Sequence, residues 1–359
     1  MQGPLGALSP GRVLAAIVRS GLVDAATACD REVSVVDASR SNPVHVVHLD
    51  GTPTFFVKQE GAAVDAGSPL SAEAAAYRWL AQDPALSGIA PPFAMLPGED
   101  DLLVLEVVPG ARPMHEAMAA LDGDLADVLA ELGELLARMH VVRAGSAERG
   151  RVLVSVRRPW LLDLPSGAPP DFVAPSEEML KLIASLREQP AVMEPVRYAS
   201  DTWRASALIH GDVKWDNVLI RREPGGAWRL WLVDWEMAGW GDPTWDLAAV
   251  VEGVVTTQVL ATGTLDPAPI APLVRRVLDA YGRAAGTGLI PSGERLVRLV
   301  AARFVQVAIQ LAAMAVSEEA MDRAPSTERS GATERFLEIA RSFAGEPATW
   351  AQRLGVGSA

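Results

Sequence analysis

His210-Gly211-Asp212-Val213-Lys214-Trp215-Asp216-Asn217-Val218-Leu219-Ile220 is followed, after the turn residues Pro224-Gly225-Gly226, by Leu232-Val233-Asp234-Trp235-Glu236. Gly241-Asp242-Pro243-Thr244-Trp245-Asp246 comes next. Asp212 and Asn217 stand five residues apart, with an apolar triplet directly after the asparagine. Asp234 closes a second apolar run at 231–233. Two strands joined by a Pro-Gly-Gly turn place Asn217, just before the first, near Asp234, just after the second. An amide and a carboxylate at one hairpin end, completed by phosphate oxygens, suit Mg²⁺. That ion prefers octahedral oxygen coordination and takes only one or two protein carboxylates. Asp212 lies a few residues ahead, where a carboxylate can accept the proton of an attacking hydroxyl.

Outward from this segment the pattern changes with position. Ser9-Pro10 reads as a cap with proline at the first helical position, opening a helix to about residue 20. Short β-branched or aromatic runs follow at 33–37, 44–49 and 54–58, the last two separated by the hairpin signal Asp50-Gly51. A helix is expected over 71–80 with Ser71 as its cap, and a strand over 102–108 ending at Pro109-Gly110. Thereafter apolar residues recur at helical spacing over 121–139, 177–188, 197–206, 268–284, 292–317 and 333–344. Residues 142–175 are rich in Gly, Pro, Ser and Arg and read as a surface insertion or a substrate loop. The expected fold class is α+β. A small antiparallel sheet with one helix occupies 1–108, and a larger, mostly helical lobe occupies 109–359.

Composition narrows the chemistry. The chain has 359 residues, 49% of them hydrophobic, enough for a sizeable core. Its single cysteine, Cys29, excludes an intramolecular disulfide and a CxxC-type zinc site and fits a cytoplasmic setting. The first thirty residues lack a basic segment followed by a long apolar run, so no signal peptide is expected. The apolar stretch 304–316 is too short to span a bilayer and reads as a buried helix. A net charge of −13 makes nucleic acid and anionic membranes poor partners and would steer a cationic ligand inward. It equally serves as a solubilising surface. Only Lys58, Lys181 and Lys214 are lysines, against 29 arginines, which suggests lysines kept for a reason, and two of the three, Lys58 and Lys214, fall inside the motifs below.

The segment at 210–246 resembles the catalytic and metal-binding loops of aminoglycoside phosphotransferases, choline kinases and their relatives, which share the protein-kinase fold. The resemblance implies Asp212 as catalytic base and Asn217 and Asp234 as Mg²⁺ ligands. It also implies His210 as a scaffold residue, and Asp246 as a structural residue that holds the catalytic-loop backbone from the helix it begins. Phe55-Phe56-Val57-Lys58 looks like the family's third strand, whose lysine holds the α- and β-phosphates of ATP, and Glu73 like its ion-pair partner. Ser41-Asn42 resembles the phosphate-covering turn. Glu106 to Val108 resembles the linker whose backbone meets the adenine. Lys214 stands where kinases acting on Ser or Thr carry a lysine near the transferred phosphoryl. The other histidines show no ligand spacing and read as ordinary strand or helix residues.

The implied activity is transfer of the γ-phosphate of ATP to a hydroxyl of a small molecule, such as an aminoglycoside or an amino alcohol. A peptide Ser/Thr kinase that prepares a ribosomal peptide for elimination is the alternative. A nucleotide-binding regulator without turnover is the third reading, and the intact acid, metal and lysine positions argue against it.

Overall fold

Asp50 and Gly51 both adopt positive φ, +50° and +73°. A tight two-residue hairpin turn whose twist matches its strands requires positive φ at both central residues. In the computed structural model they join β2 (Val44–Leu49) to β3 (Thr52–Gln59), and β1 (Val33–Asp37) pairs antiparallel on the other side of β2. With β4 (Phe93–Leu96) and β5 (Leu102–Glu106) these form a five-stranded sheet in the order β1-β2-β3-β5-β4. The structure describes residues 9–38, 44–59, 69–96, 102–121, 123–142, 156–167, 176–319 and 327–356.

The chain divides into two compact units. The first gathers Met1–Ala117, Arg149–Val154 and Asp216–Ala238; the second gathers Met118–Glu148, Ser155–Trp215 and Gly239–Ala359. Division at residue 108 follows chain order, whereas compactness also assigns 109–117 and 216–238 to the first unit.

Within the first unit, strand alternation sets the core. Val47, Leu49, Phe55, Val57, Leu102 and Val104 point to one face, where Val13 and Ile17 of α1 (Pro10–Arg19) cover them. Lys58, one residue after Val57, therefore faces the opposite side. α3 (Pro69–Gln82) follows the short α2 (Ala25–Asp30) in chain order and supplies Glu73, Tyr77 and Leu80 as buried residues. Strands Val218–Arg222 and Trp228–Leu232 form the expected hairpin, in register Val218 to Leu232, and Arg112–Pro113 adds a third edge. The Leu232 N–H donates to Ile89 O at 2.7 Å.

The second unit is mainly helical. Helices Leu125–His140 and Pro267–Ala285 approach closely at Gly133, where an added Cβ would lie 2.5 Å from Val277 O. Helix Gly293–Glu319 packs against Pro243–Thr262 and Thr327–Gly345. It is longer than the apolar stretch suggests: 27 residues, with Gly293–Met314 long and apolar enough to cross a membrane by length and composition. Two thirds of its most apolar window is buried inside the unit, and Arg303 and Gln306 are buried on it, as in a core helix.

Other boundaries also move. α3 begins at Pro69 rather than Ser71, because proline suits the first helical position. The helix expected over 197–206 is Pro190–Asp201: Pro190 opens it, and Pro195 is accommodated inside. It stops before Arg204, whose N–H donates to Asp242 Oδ2 at 3.2 Å. The segment 142–175 lies largely outside the described residues.

Candidate active site

In the first unit the charged groups converge on Lys58. Its Nζ lies 2.8 and 3.0 Å from the two Glu73 oxygens and 2.7 Å from Asp234 Oδ1. β3 presents the lysine, the first full turn of α3 presents the glutamate, and the end of strand Trp228–Leu232 leads to the aspartate. Burial alone would lower the Lys58 pKa, but Glu73 and Asp234 outweigh it and leave the ammonium above the ordinary lysine value. Burial pushes the Glu73 carboxyl up, and Lys58 offsets part of that shift. The Trp235 N–H donates to Glu73 Oε1 at 3.3 Å, and the Trp235 ring meets Tyr77, one turn after Glu73, at 6.4 Å.

Asp234 takes the left-handed region, with φ +67° and ψ +60°. Aspartate tolerates this better than most residues, at a cost of about 1–3 kcal/mol. Asn217 is buried at the other side of the hairpin base, and its carbonyl accepts the Val233 N–H at 3.0 Å. The hairpin thus brings Asn217 and Asp234 together as the spacing predicts. Glu106 ends β5 opposite Phe55, and its N–H donates to Pro92 O at 2.9 Å. Val108 is buried, its carbonyl accepting the Ala111 N–H at 3.1 Å. Ser41 and Asn42 lie outside the described residues.

In the second unit, Asp212 Oδ2 accepts from Lys214 Nζ at 2.7 Å, with Asp212 largely covered and Lys214 half exposed. Burial alone would raise the Asp212 pKa. Lys214, then Arg303 and His210, more than offset it and hold the carboxyl below the usual range. The loop backbone is fixed from behind. Asp246 Oδ2 accepts the His210 N–H at 2.8 Å and Asp246 Oδ1 the Gly211 N–H at 2.9 Å. Asp246 stands in the first turn of Pro243–Thr262, capped by Asp242, which accepts the Thr244 N–H at 3.0 Å.

Sequence reasoning missed His140. It is buried, with Nε2 3.3 Å from Asp246 Oδ2 and Nδ1 3.1 Å from Tyr281 Oη, so it belongs to the loop's support and is not an ordinary helix residue. Nothing near position 140 announces a partner 106 residues away. Trp245 also supports the loop, its Nε1 donating to Gly211 O at 3.3 Å. Trp235 and Trp245 are fully buried, while Trp215 is partly open, its Nε1 donating to Thr257 Oγ1 at 2.9 Å.

Residues 32–288 match the profile of the phosphotransferase enzyme family. No curated protein matches the chain in sequence. Among solved structures, ethanolamine kinase of Plasmodium vivax is similar over 92% of this chain and 87% of its own, at 13% identity and a TM-score of 0.55. The GDP complex of wild-type aminoglycoside 2'-phosphotransferase-IIIa is similar over 93% and 99%, at 15% identity and a TM-score of 0.54. The streptomycin–ATP–APH(2")-IIa ternary complex is similar over 92% and 97%, at 13% identity and a TM-score of 0.52. At such identities these likenesses speak for the fold, while the profile covers well over half the sequence. The chain belongs to the phosphotransferase enzyme family and is a kinase with the protein-kinase-like fold.

Proposed function

We propose that the chain transfers the γ-phosphoryl group of ATP to a hydroxyl of a small molecule, with an aminoglycoside or an amino alcohol as the favoured acceptor class. The observation that carries this reading is Lys58, held within hydrogen-bond distance of Glu73 and Asp234. A lysine that receives phosphates must stay charged and aimed, and two carboxylates do both. Phosphoryl transfer asks mainly for positioning and charge stabilisation. The similarity to an ethanolamine kinase and an aminoglycoside phosphotransferase supports the acceptor class, and the streptomycin–ATP complex supports the nucleotide.

In this reading Lys58 receives the α- and β-phosphates, and the backbone from Glu106 to Val108 meets the adenine. Asp212 accepts the proton of the attacking hydroxyl, and its depressed pKa keeps it ionised for that task. Lys214 stands beside it to meet the phosphoryl group in transit. The donor set of Asn217 and Asp234 fits Mg²⁺. Among the described residues no group of three or more His, Cys, Asp or Glu forms a metal cage, so the ion would arrive with phosphate oxygens as its other ligands. Mg²⁺ bound there would neutralise the phosphates.

Transfer from γ-labelled ATP to a panel of amino sugars, amino alcohols and Ser/Thr peptides, read by mass, tests the acceptor. Phosphate gained only by peptides would move the assignment to a peptide kinase, for which the 2.7 Å contact of Lys214 with Asp212 is the supporting feature. Neither transfer nor slow ATP hydrolysis would favour a regulator. Asp212→Asn should keep ATP binding and abolish transfer, whereas Asp234→Ala should lose Mg²⁺-dependent nucleotide binding. Normal turnover by Asp212→Asn would remove Asp212 from its role.

A further inference from the structure

Behind the Gly211–Asp212 backbone lies a buried ion pair that the reaction described above does not use. Glu252 of helix Pro243–Thr262 and Arg303 of helix Gly293–Glu319 are 6% and 2% exposed. Arg303 Nη2 stands 3.5 Å from Glu252 Oε2, and Nη1 donates to Gln306 Oε1 at 3.3 Å. Arg303 Nε has no acceptor among the described residues. Glu252 Oε1 accepts from Thr256 Oγ1 at 2.8 Å. The guanidinium lies over the Trp245 ring, 5.3 Å from its centroid, and that indole donates to Gly211 O, the carbonyl that opens the Asp212 peptide. Contacts thus run from Glu252 through Arg303 and Trp245 to the residue before Asp212.

Helix packing alone does not account for these charges. A buried ion pair repays little more than its desolvation, and apolar residues of the same volume often hold two helices as well or better. On the same two helices Leu247, Val251, Leu299, Val300 and Phe304, close in sequence to the pair, are apolar and buried. The guanidinium is held by Glu252 and Gln306 at its ends and lies over Trp245, and its charge also acts on Asp212. The charged and titratable groups acting on Asp212 among the described residues include Lys214 and His210 from its own loop and Arg303 from helix Gly293–Glu319, with Glu252 beyond it on helix Pro243–Thr262.

We propose that Glu252 and Arg303 are a positioning pair for Asp212. The guanidinium, stacked on Trp245, holds the Gly211–Asp212 peptide in the geometry that proton acceptance needs, and Glu252 fixes the guanidinium. This rests on the reading of Asp212 as the proton acceptor.

The test uses the full chain with Glu252→Gln, Arg303→Met and the double variant. Either single change leaves one buried group without its partner and can impair folding, whereas the double change removes both charges together. Two quantities are read: amide hydrogen exchange of the peptide 206–214 by mass spectrometry, and steady-state γ-phosphoryl transfer from ATP to kanamycin, ethanolamine or, failing both, water. The double variant should keep its Tm, exchange the 206–214 amides several-fold faster, and lose about tenfold to a hundredfold in kcat with KM for ATP unchanged, as small misplacements of a reacting group do. Arg303→Lys should recover part of that loss. Unchanged loop protection and unchanged kcat in a folded double variant would overturn the proposal and make the pair a helix tie only. If the double variant does not fold, Trp245→Phe removes the hydrogen bond to Gly211, together with part of the indole's packing on Arg303 and Trp203, and is read in the same way. Asp212→Asn runs alongside: normal transfer by it would sink the base assignment whatever the pair does.

Discussion

Lys58 shows how one side chain can be argued from composition through to stability. Its scarcity marked it, strand alternation placed it away from the α1 core, and two carboxylates now hold it. Removing one partner of a buried pair costs about 3–5 kcal/mol, because the survivor stays desolvated and uncompensated. Lys58→Met leaves Glu73 and Asp234 facing each other and should cost that much, read as a lower Tm in thermal unfolding. The pH dependence has a definite sign. The folded-state pKa of Lys58 is raised, so its contribution is full below the ordinary value of 10.5 and lost as pH rises through the higher folded value. The Tm gap between wild type and Lys58→Met should therefore close in strong alkali as Lys58 loses its proton, and also in acid as Glu73 gains one. For Asp212 the pKa is lowered, so its contribution is present above the ordinary value of 3.8 and fades as pH falls through the lower folded value. Among the candidate site residues, Lys58, Glu73, Asn217, Asp212 and Asp234 stand out in the sequence because each lies in a local motif whose order along the chain is informative. His140, Glu252 and Arg303 do not. Each matters through a partner far along the sequence, and a lone histidine or arginine on an apolar helix carries no local sign of it.

At the scale of elements, helix Pro243–Thr262 ties the loop to the helical unit. One carboxylate in its first turn serves both the His210 and the Gly211 N–H groups and also contacts His140. Asp246→Ala would leave those donors buried and unpaired at about 1–3 kcal/mol each. We expect at least 3 kcal/mol of destabilisation, measured by denaturant unfolding, with transfer lost even in conditions where the variant is folded. The close approach at Gly133 gives a second expectation. A methyl there meets a backbone carbonyl at 2.5 Å, which no rotamer change relieves, so helices Leu125–His140 and Pro267–Ala285 must separate. Overpacking of this kind costs about 1–3 kcal/mol, and Gly133→Ala should lower Tm by several degrees without altering KM for ATP. Elements with their own turn chemistry or a long helical period were readable: the Asp50-Gly51 hairpin, the Pro-Gly-Gly hairpin and helix Pro267–Ala285. Strands Ala207–Ile209 and Gly239–Gly241 were not, because three residues are too few to show a period and their pairing is set by the rest of the fold.

For the whole molecule the governing fact is that compactness and chain order disagree. The sheet-bearing unit takes 216–238 from far downstream, and with it buried Trp231, Leu232 and Trp235 and the carboxylate of Asp234. A fragment ending at residue 117 keeps Lys58 and Glu73 but loses the Ile89–Leu232 hydrogen bond and the Tyr77–Trp235 contact. We expect that fragment to melt well below the full chain in circular dichroism, and added 216–238 peptide to raise its melting point. The net charge of −13 acts at the same scale: KM for a cationic acceptor should rise with ionic strength while KM for a neutral one stays level. The interrupted unit also imposes a timetable on synthesis. The ribosome must deliver about 120 further residues after the sheet's last strand before the hairpin emerges, a delay of roughly 6–24 s at typical elongation speeds. Through that interval Ile89 and Tyr77 lack their hairpin partners Leu232 and Trp235, and apolar surface left open in this way is what chaperones of nascent chains bind.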